Sequence, residues 1–508
     1  MYFPFMKKAI GSFISIFLLH AQAIQAFPQA KPFESLKRRA NQGPLSTTNP
    51  LQVDFGYNIY EGVANSSTGL NTFKGIRYAA PPIGSLRWQA PQSPAYNRSN
   101  VLSAATLGPA CPQSPLAEPG VTFAPGDEDC LFLNVYAPAN ASNLPVLVWI
   151  HGGGYGEGSG SQDLSAIINA NGNSFIGVTI QYRLGAFGFL ASDEVFRNGV
   201  VNAGILDQHF ALQWVQSYIE LFGGNASHVT ISGESAGGGS VMLQTMAYGG
   251  TQGTSLFVNA IAASPYLPMQ YGYKDWVPSQ SYYAFAIAAG CPSTTAYGSS
   301  SQTIFECLVS KDTLTLQKAS FNISASGIYG TWGFLPVTDG TFIQQLPTQQ
   351  LLQKKVNGLR IMAGNNAEEG ALFTPPNIST EDDLIAWLKL SFPLFSNDDI
   401  AKLLYYYPSS NSSDMAGMLE YATSGNGGAT ALNVSQVASG QQQRADNIYA
   451  ETTFVCPSYW LAEAFSGQGR TSYKYQYSIP NAYHSADVAG YFGPPTPNQS
   501  PDFVLAFQ

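Results

Sequence analysis

The sequence predicts an α/β fold, a mostly parallel central sheet covered by helices on both faces. Three observations carry that expectation. Short continuous apolar runs such as Val146–Ile150 alternate with helical stretches such as Leu206–Leu221, in which Phe210, Trp214 and Leu221 can share a face. Two apolar runs end abruptly in glycine-rich turns, at Gly152 and at Gly233. No Pro-rich or charge-run linker and no internal repeat divides the 508 residues, so one large domain over 40–508 is expected.

In chain order the first element is a leader. Residues 1–26 carry Lys7 and Lys8, an apolar stretch from Ala9 to Leu19, and small-residue sites at Ala21-Gln22-Ala23 and Ala26, the pattern of a signal peptide rather than a membrane anchor. Residues 27–39 end in Lys37-Arg38-Arg39 and read equally as a short propeptide or a solvated tail. No other stretch is long and apolar enough to span a bilayer. The strand Val146–Ile150 runs into His151-Gly152-Gly153-Gly154-Tyr155, where glycines let backbone amides approach a bound group. The strand opening at Val229 runs into Gly233-Glu234-Ser235-Ala236-Gly237, and glycine on either side of Ser235 permits a tight strand-to-helix turn that lifts the hydroxyl clear of the sheet. Gly358–Gly364 is a short strand with Asn365–Gly370 turning off its end. A period-2 strand, Tyr473–Ile479, and a Pro480-Asn481 break place His484 in a loop off a strand end.

These turns converge on one chemistry. Gly-x-Ser-x-Gly at a strand-to-helix junction, with a glycine loop upstream, is the nucleophile-elbow arrangement of α/β-hydrolases, where the loop and the amide after the serine, here Ala236, bind an oxyanion. The chain order in that arrangement is serine, acid, histidine. Histidines stand at 20, 151, 209, 228 and 484, so His484 alone follows Ser235. His151 is expected to shape the glycine loop, with His209 on a helix and His228 in a turn as ordinary core or surface residues. The acid must lie between Ser235 and His484. Asp382, Asp383, Asp398 and Asp399 fall in polar stretches and read as solvated, whereas Glu368 and Glu369 emerge at a strand end. Spacing does not separate these two. Either would hold the imidazole in the working tautomer.

Composition narrows the setting. Charged residues make up only 11% and the net charge is −9, which argues against a nucleic-acid partner; the one basic run, Lys37-Arg38-Arg39, is too short for a binding patch. Nine Asn-x-Ser sequons, at Asn65, Asn97, Asn140, Asn225, Asn322, Asn377, Asn411, Asn433 and Asn498, agree with secretion. Five cysteines in an oxidising compartment predict two bridges and one left over.

Further runs carry a family resemblance: Phe73–Pro82 with Arg87-Trp88, Glu128–Asn134, Tyr182–Leu190, Leu206–Val215, Phe222-Gly223-Gly224, the glycine loop and the elbow. From about residue 50 to 495 the chain resembles the type B carboxylesterase/lipase family, which includes cholinesterases and fungal lipases. The resemblance implies the α/β-hydrolase fold and a catalytic set of Ser235, Glu369 and His484, since the family's acid is the glutamate directly before a glycine. It assigns the oxyanion donors to Gly153, Gly154 and Ala236. It pairs Cys111 with Cys130 and Cys291 with Cys307, leaving Cys456 as a buried small hydrophobe, and pairs Arg87 with Glu128 and Arg183 with Asp207 as partly buried ion pairs. No cofactor and no metal are called for, and the partner is a small-molecule ester.

Three departures shape the expectation. Ala263-Ser264-Pro265-Tyr266 stands where many members have Gln-Ser-Gly. Members continue well past their histidine, whereas this chain stops at Gln508 and so reads as truncated at its C-terminus, with part of the covering of one sheet side missing. The loop from Cys111 to Cys130, which holds a long helical lid in the family's lipases, is short here and contains Pro112, Pro115, Pro119 and Pro125 but no tryptophan, so neither a sealing lid nor a choline-binding aromatic face is expected. The expected function is a secreted serine carboxylesterase working through an acyl-enzyme. The alternatives are a lipase or sterol esterase with the same triad, or an inactive truncated or adhesion-type relative, although adhesion relatives lose the serine that is present here.

Overall fold

Parallel pairing around central strands buried on both faces organises the molecule. The computed structural model describes residues 49–291, 302–407 and 437–508, so the expected leader 1–26, the segment 27–39 and the sequons at Asn411 and Asn433 lie outside the described residues. A three-stranded sheet, β1 (Gln52–Asp54), β2 (Ile59–Glu61) and β5 (Val101–Ser103), flanks the main one. The main sheet comprises β3 (Val63–Asn65), β4 (Leu70–Arg77), β6 (Phe132–Pro138), β7 (Leu144–Ile150), β8 (Ile176–Ile180), β9 (Gly224–Glu234), β10 (Asn259–Ala263), β11 (Arg360–Asn366) and β12 (Thr471–Tyr477). Its order is β12-β11-β10-β9-β7-β8-β6-β4-β3. The run from β12 to β8 is parallel, and β6, β4 and β3 are added antiparallel.

The central parallel strands β7 and β8 read as apolar sequence because helices cover both faces, and every residue of β8 is buried, whereas the edge strand β12 keeps its period-2 pattern. Helix Ala203–Tyr218 buries Phe210 and Trp214, and Trp214 donates its indole N–H to Tyr57 at 3.0 Å within an aromatic cluster that includes Phe55, Tyr218 and Phe222. The helix is displaced toward the N-terminus from the predicted 206–221. Leu221 falls in the 3₁₀ turn Ile219–Phe222 and is half exposed, so it does not share the buried face, because the tighter turn rotates it outward. His228 lies within β9, not in a turn, and is exposed.

Register sets the level of the strand ends. Ile150 lies opposite Gly233, Glu234 opposite Ala263, Ala263 opposite Gly364, and Gly364 opposite Tyr475. The turns after β7, β9, β10, β11 and β12 therefore emerge side by side at the carboxyl edge of the sheet, the edge where open α/β sheets bind ligands.

Both expected disulfides are formed, Cys111–Cys130 and Cys291–Cys307. Cys456 is free but only half-buried, because it opens the helix Cys456–Ala464 at the margin of the core. Residues 112–129 contain neither helix nor strand. Instead the loop is tied down along its length. Ser114 Oγ meets Ser320 Oγ at 2.5 Å, Ser324 Oγ donates to Pro115 O at 2.6 Å, Gln317 exchanges two hydrogen bonds with Gly126, and Ala117 N donates to Thr331 O at 2.9 Å. No described helix is long and apolar enough to cross a membrane.

Candidate active site

The elbow is built by close packing. Ser235 has φ 59° and ψ −125°, a strained geometry for a non-glycine residue, and starts the helix Ala236–Gly250. A Cβ on Gly237 would lie 2.0 Å from Ile150 O, so only glycine lets the helix start this close to β7. The turn is held by Ser235 N donating to Ala263 O and Tyr266 N donating to Ser235 O, both at 3.0 Å.

The structure brings Ser235, His484 and Glu369 into one line. Ser235 Oγ is 2.8 Å from His484 Nε2, and His484 Nδ1 is 2.5 Å from Glu369 Oε2. The other oxygen of Glu369 accepts from Ser264 Oγ at 2.5 Å and from Asn366 N at 2.6 Å. Both imidazole nitrogens are thus taken, and the backbone N–H of the neighbouring Glu368 donates to Ala482 O at 2.8 Å and ties the β11 turn to the His484 loop. His209 is far from this line, buried against Gln244 Oε1 at 3.1 Å. Asp383, exposed, and Asp399, partly exposed, close capping boxes with Thr380 and Ser396, as befits carboxylates in first helical turns.

The glycine loop lies beside the elbow, where a Cβ on Gly152 would fall 2.9 Å from Ser235 Cβ. Gly153 and Gly154 both have positive φ, 96° and 59°, and a Cβ on Gly154 would fall 2.0 Å from the Trp332 ring. Ala236 opens its helix, where the first amides lack intrahelical partners. His151 sits behind the loop, its Nδ1 2.9 Å from Gly152 O and its ring stacked on Tyr182 at 4.4 Å. Burial pulls His151 down to about 4, so it is a neutral scaffold residue.

Two carboxylates that the sequence reading did not single out complete the polar set. Glu234 Oε1 lies 3.3 Å from His484 Nε2 and accepts from Ser485 Oγ at 2.6 Å. Asp487 accepts from Asn366 Nδ2 at 3.1 Å and from Tyr475 O–H at 2.8 Å. Burial depresses His484, but Glu234, Glu369 and Asp487 together outweigh it and lift the imidazole to about 9. Burial likewise lifts Glu234 to about 7 against the pull of His484, and raises Asp487. A carboxylate immediately before the elbow serine was the available signal for Glu234; Asp487 had none.

Aromatic rings close the remaining sides. Phe373 meets the His484 ring edge-on at 5.0 Å, and Phe454, on the π-helical turn Glu451–Val455, lies 4.5 Å from it. Tyr266 packs on Trp332 at 5.5 Å and on Phe454 at 5.5 Å, making a continuous wall from Gly154 to His484. Tyr266 belongs to the Ala263–Tyr266 segment that departs from the resembled pattern, and the structure turns that departure into an aromatic wall.

A serine, an imidazole and a carboxylate in sequence at the end of an elbow, on this sheet, define the class as a hydrolase of the α/β-hydrolase fold. The chain belongs to the carboxylesterase family, whose model matches residues 58–504. It is 30% identical to carboxylesterase patB of Aspergillus clavatus over 494 residues, covering 87% of this chain and 82% of that one. It is 33% identical to lipase 2 of Geotrichum candidum, covering 69% of this chain and 68% of the relative. Among solved structures, Aspergillus niger EstA superposes with a TM-score of 0.73 at 31% identity, covering 89% of this chain and 84% of the other. The protein is thus a carboxylic ester hydrolase.

Proposed function

We propose that the protein is a secreted serine carboxylesterase that hydrolyses short- to medium-chain carboxylic esters through an acyl-enzyme on Ser235. The observation that carries this reading is the unbroken hydrogen-bonded line Ser235–His484–Glu369, with distances of 2.8 and 2.5 Å, at the end of a strained elbow. Ser235 Oγ attacks the ester carbonyl as His484 Nε2 takes its proton. The tetrahedral oxyanion is received by the amides of Gly153, Gly154 and Ala236. His484 returns the proton to the departing alkoxide, and water repeats the sequence to release the acid. Glu369 fixes the tautomer and stabilises the imidazolium, itself held by Ser264 and Asn366.

Substrate size follows from two features. The wall of Trp332, Tyr266, Phe373 and Phe454 occupies space a long acyl chain would need beside Gly154 and His484. The Cys111–Cys130 loop is stapled to its surroundings and has little freedom to swing as a lid. Interfacial activation requires opening that exposes apolar surface, and this loop has little to open. Secretion is supported by the leader 1–26, by the two disulfides and by sequons that are exposed at Asn65, Asn97, Asn140, Asn322, Asn377 and Asn498. A relative from Gibberella zeae, 30% identical, is a secreted triacylglycerol lipase, which keeps the lipase reading as the competitor.

The test is a chain-length series of p-nitrophenyl esters on the secreted protein, with Ser235→Ala as control. We expect saturation kinetics on soluble esters, weak action on emulsified long-chain triglyceride, and loss of both turnover and organophosphate labelling in the variant. A jump in rate as substrate passes its solubility limit would establish the lipase instead.

A further inference from the structure

The turn bearing Gly153 and Gly154 is closed from within by Gly153 O, which accepts from Gly156 N at 3.0 Å and from Glu157 N at 2.8 Å. Its outer rim, Gly156 to Gly158, is fixed from outside. Ser114 N donates to Gly156 O at 2.7 Å. Gln113 then grips Gly158 on both sides, accepting from Gly158 N at 2.8 Å and donating to Gly158 O at 3.1 Å. The same carboxamide nitrogen donates to Cys111 O at 2.7 Å, the backbone of a residue covalently pinned to Cys130. A carboxamide that both accepts from and donates to one residue's backbone fixes orientation as well as distance, which a single bond does not.

We propose that Gln113 is a positioning residue for the oxyanion-binding amides. The Cys111–Cys130 loop, in place of a lid, is a brace, and Gln113 is the point at which the brace sets the Gly153-Gly154 turn. The inference rests on the acyl-transfer reading above. Oxyanion stabilisation depends on donors already aimed at the place where charge develops, so a turn left to relax loses transition-state binding without losing substrate binding. Gln113 touches no reacting atom. Removing it frees both polar groups of Gly158 at a half-buried rim, where water can replace the bonds, and the carbonyl of Cys111, whose position the disulfide still holds, so folding is largely spared.

The experiment compares wild type with Gln113→Ala, Gln113→Met and Gln113→Glu in the full chain. It reads kcat and KM on p-nitrophenyl butyrate, affinity for a trifluoromethyl ketone that forms the tetrahedral adduct with the serine, and the melting temperature. A displacement on the order of 1 Å costs up to about 100-fold, so Gln113→Ala should lose about 10- to 100-fold in kcat with KM nearly constant. Affinity for the ketone should fall by the same factor and melting should change little. Gln113→Met, of similar length, carries the same expectation should the alanine variant not fold. Gln113→Glu keeps the acceptor for Gly158 N but sets a carboxylate oxygen against the carbonyls of Gly158 and Cys111, so it should not restore kcat. Wild-type kcat in Gln113→Ala or Gln113→Met, or a loss of kcat with ketone affinity intact, overturns the proposal. Turnover surviving in Ser235→Ala would instead sink the acyl-transfer reading, independently of Gln113.

Discussion

Replacing Asp207 by asparagine tests whether scarce charges in this chain carry structure. Arg183 and Asp207 are 3% and 0% exposed, and their side chains meet in a fork: Nε to Oδ2 at 2.7 Å and Nη2 to Oδ1 at 2.7 Å. The backbone N–H of Arg183 adds a bond to Oδ2 at 3.1 Å, and Nη2 also reaches Gln89 O at 2.9 Å. Nη1 of Arg183 already has no hydrogen-bond partner among the described residues. A carboxamide in place of the Asp207 carboxylate would leave one acceptor for three N–H groups and a buried guanidinium with no counter-charge. Breaking one side of a buried pair costs about 3 to 5 kcal/mol, a large part of the net stability of an ordinary domain. Arg197 and Asp193 provide the contrast, since they are 72% and 45% exposed and solvent screens their attraction. Urea unfolding followed by tryptophan fluorescence, together with the rate of thermal inactivation, should show Asp207→Asn strongly destabilised and Asp193→Asn unchanged. The double variant Arg183→Met with Asp207→Leu should recover much of the loss, because it removes the uncompensated charge. An unfolding midpoint for Asp207→Asn no lower than that of Asp193→Asn would refute the reasoning.

Two further predictions concern the site. On the proposed mechanism turnover needs neutral His484, which its carboxylate neighbours hold at about 9, so kcat/KM should climb with pH toward that value. Glu234→Gln removes the carboxylate 3.3 Å from Nε2 and should move this limb to lower pH; a limb that stays put or moves up contradicts the electrostatic account. The sign for stability agrees: a raised histidine stabilises the fold fully below the ordinary value near 6.5, and the contribution disappears as pH rises through about 9. Glu369→Gln should cost on the order of 10⁴-fold in kcat, the scale of losing a triad acid, and Glu368→Gln should be mild; the reverse ranking in steady-state assays would mean that the acid has been misassigned.

Local pattern was enough to find four strands of the main sheet, two of them displaced by two residues, and to point to the elbow and the histidine. Strand ends and glycine turns are written in neighbouring residues, and chain order left one histidine after Ser235. It did not choose between Glu368 and Glu369 without the family resemblance, because consecutive residues on one turn differ only in where their side chains point. That direction is set by the pairing of β11 with β12 and by the bond from Asn366 N to Glu369. Glu234 beside the serine was visible as a residue but not as a neighbour of His484, which stands far along the chain and reaches it only through the loop after β12. Asp487, Ser264, Trp332 and Phe454 likewise acquire their places only when turns from separate strands and helices meet. The disulfide loop shows the same division. Its cysteines and prolines were legible in sequence. Its attachment to Ser320, Ser324 and Gln317 on the helix Thr313–Ala325, and to Gly158 beside the glycine turn, was not, because hydrogen bonds between segments distant in the chain leave no local pattern. Sequence by itself determined which chemical groups this protein carries and at which strand ends they emerge; tertiary packing decided which of them share one imidazole, because burial and close approach exist only once the sheet has brought its edges level.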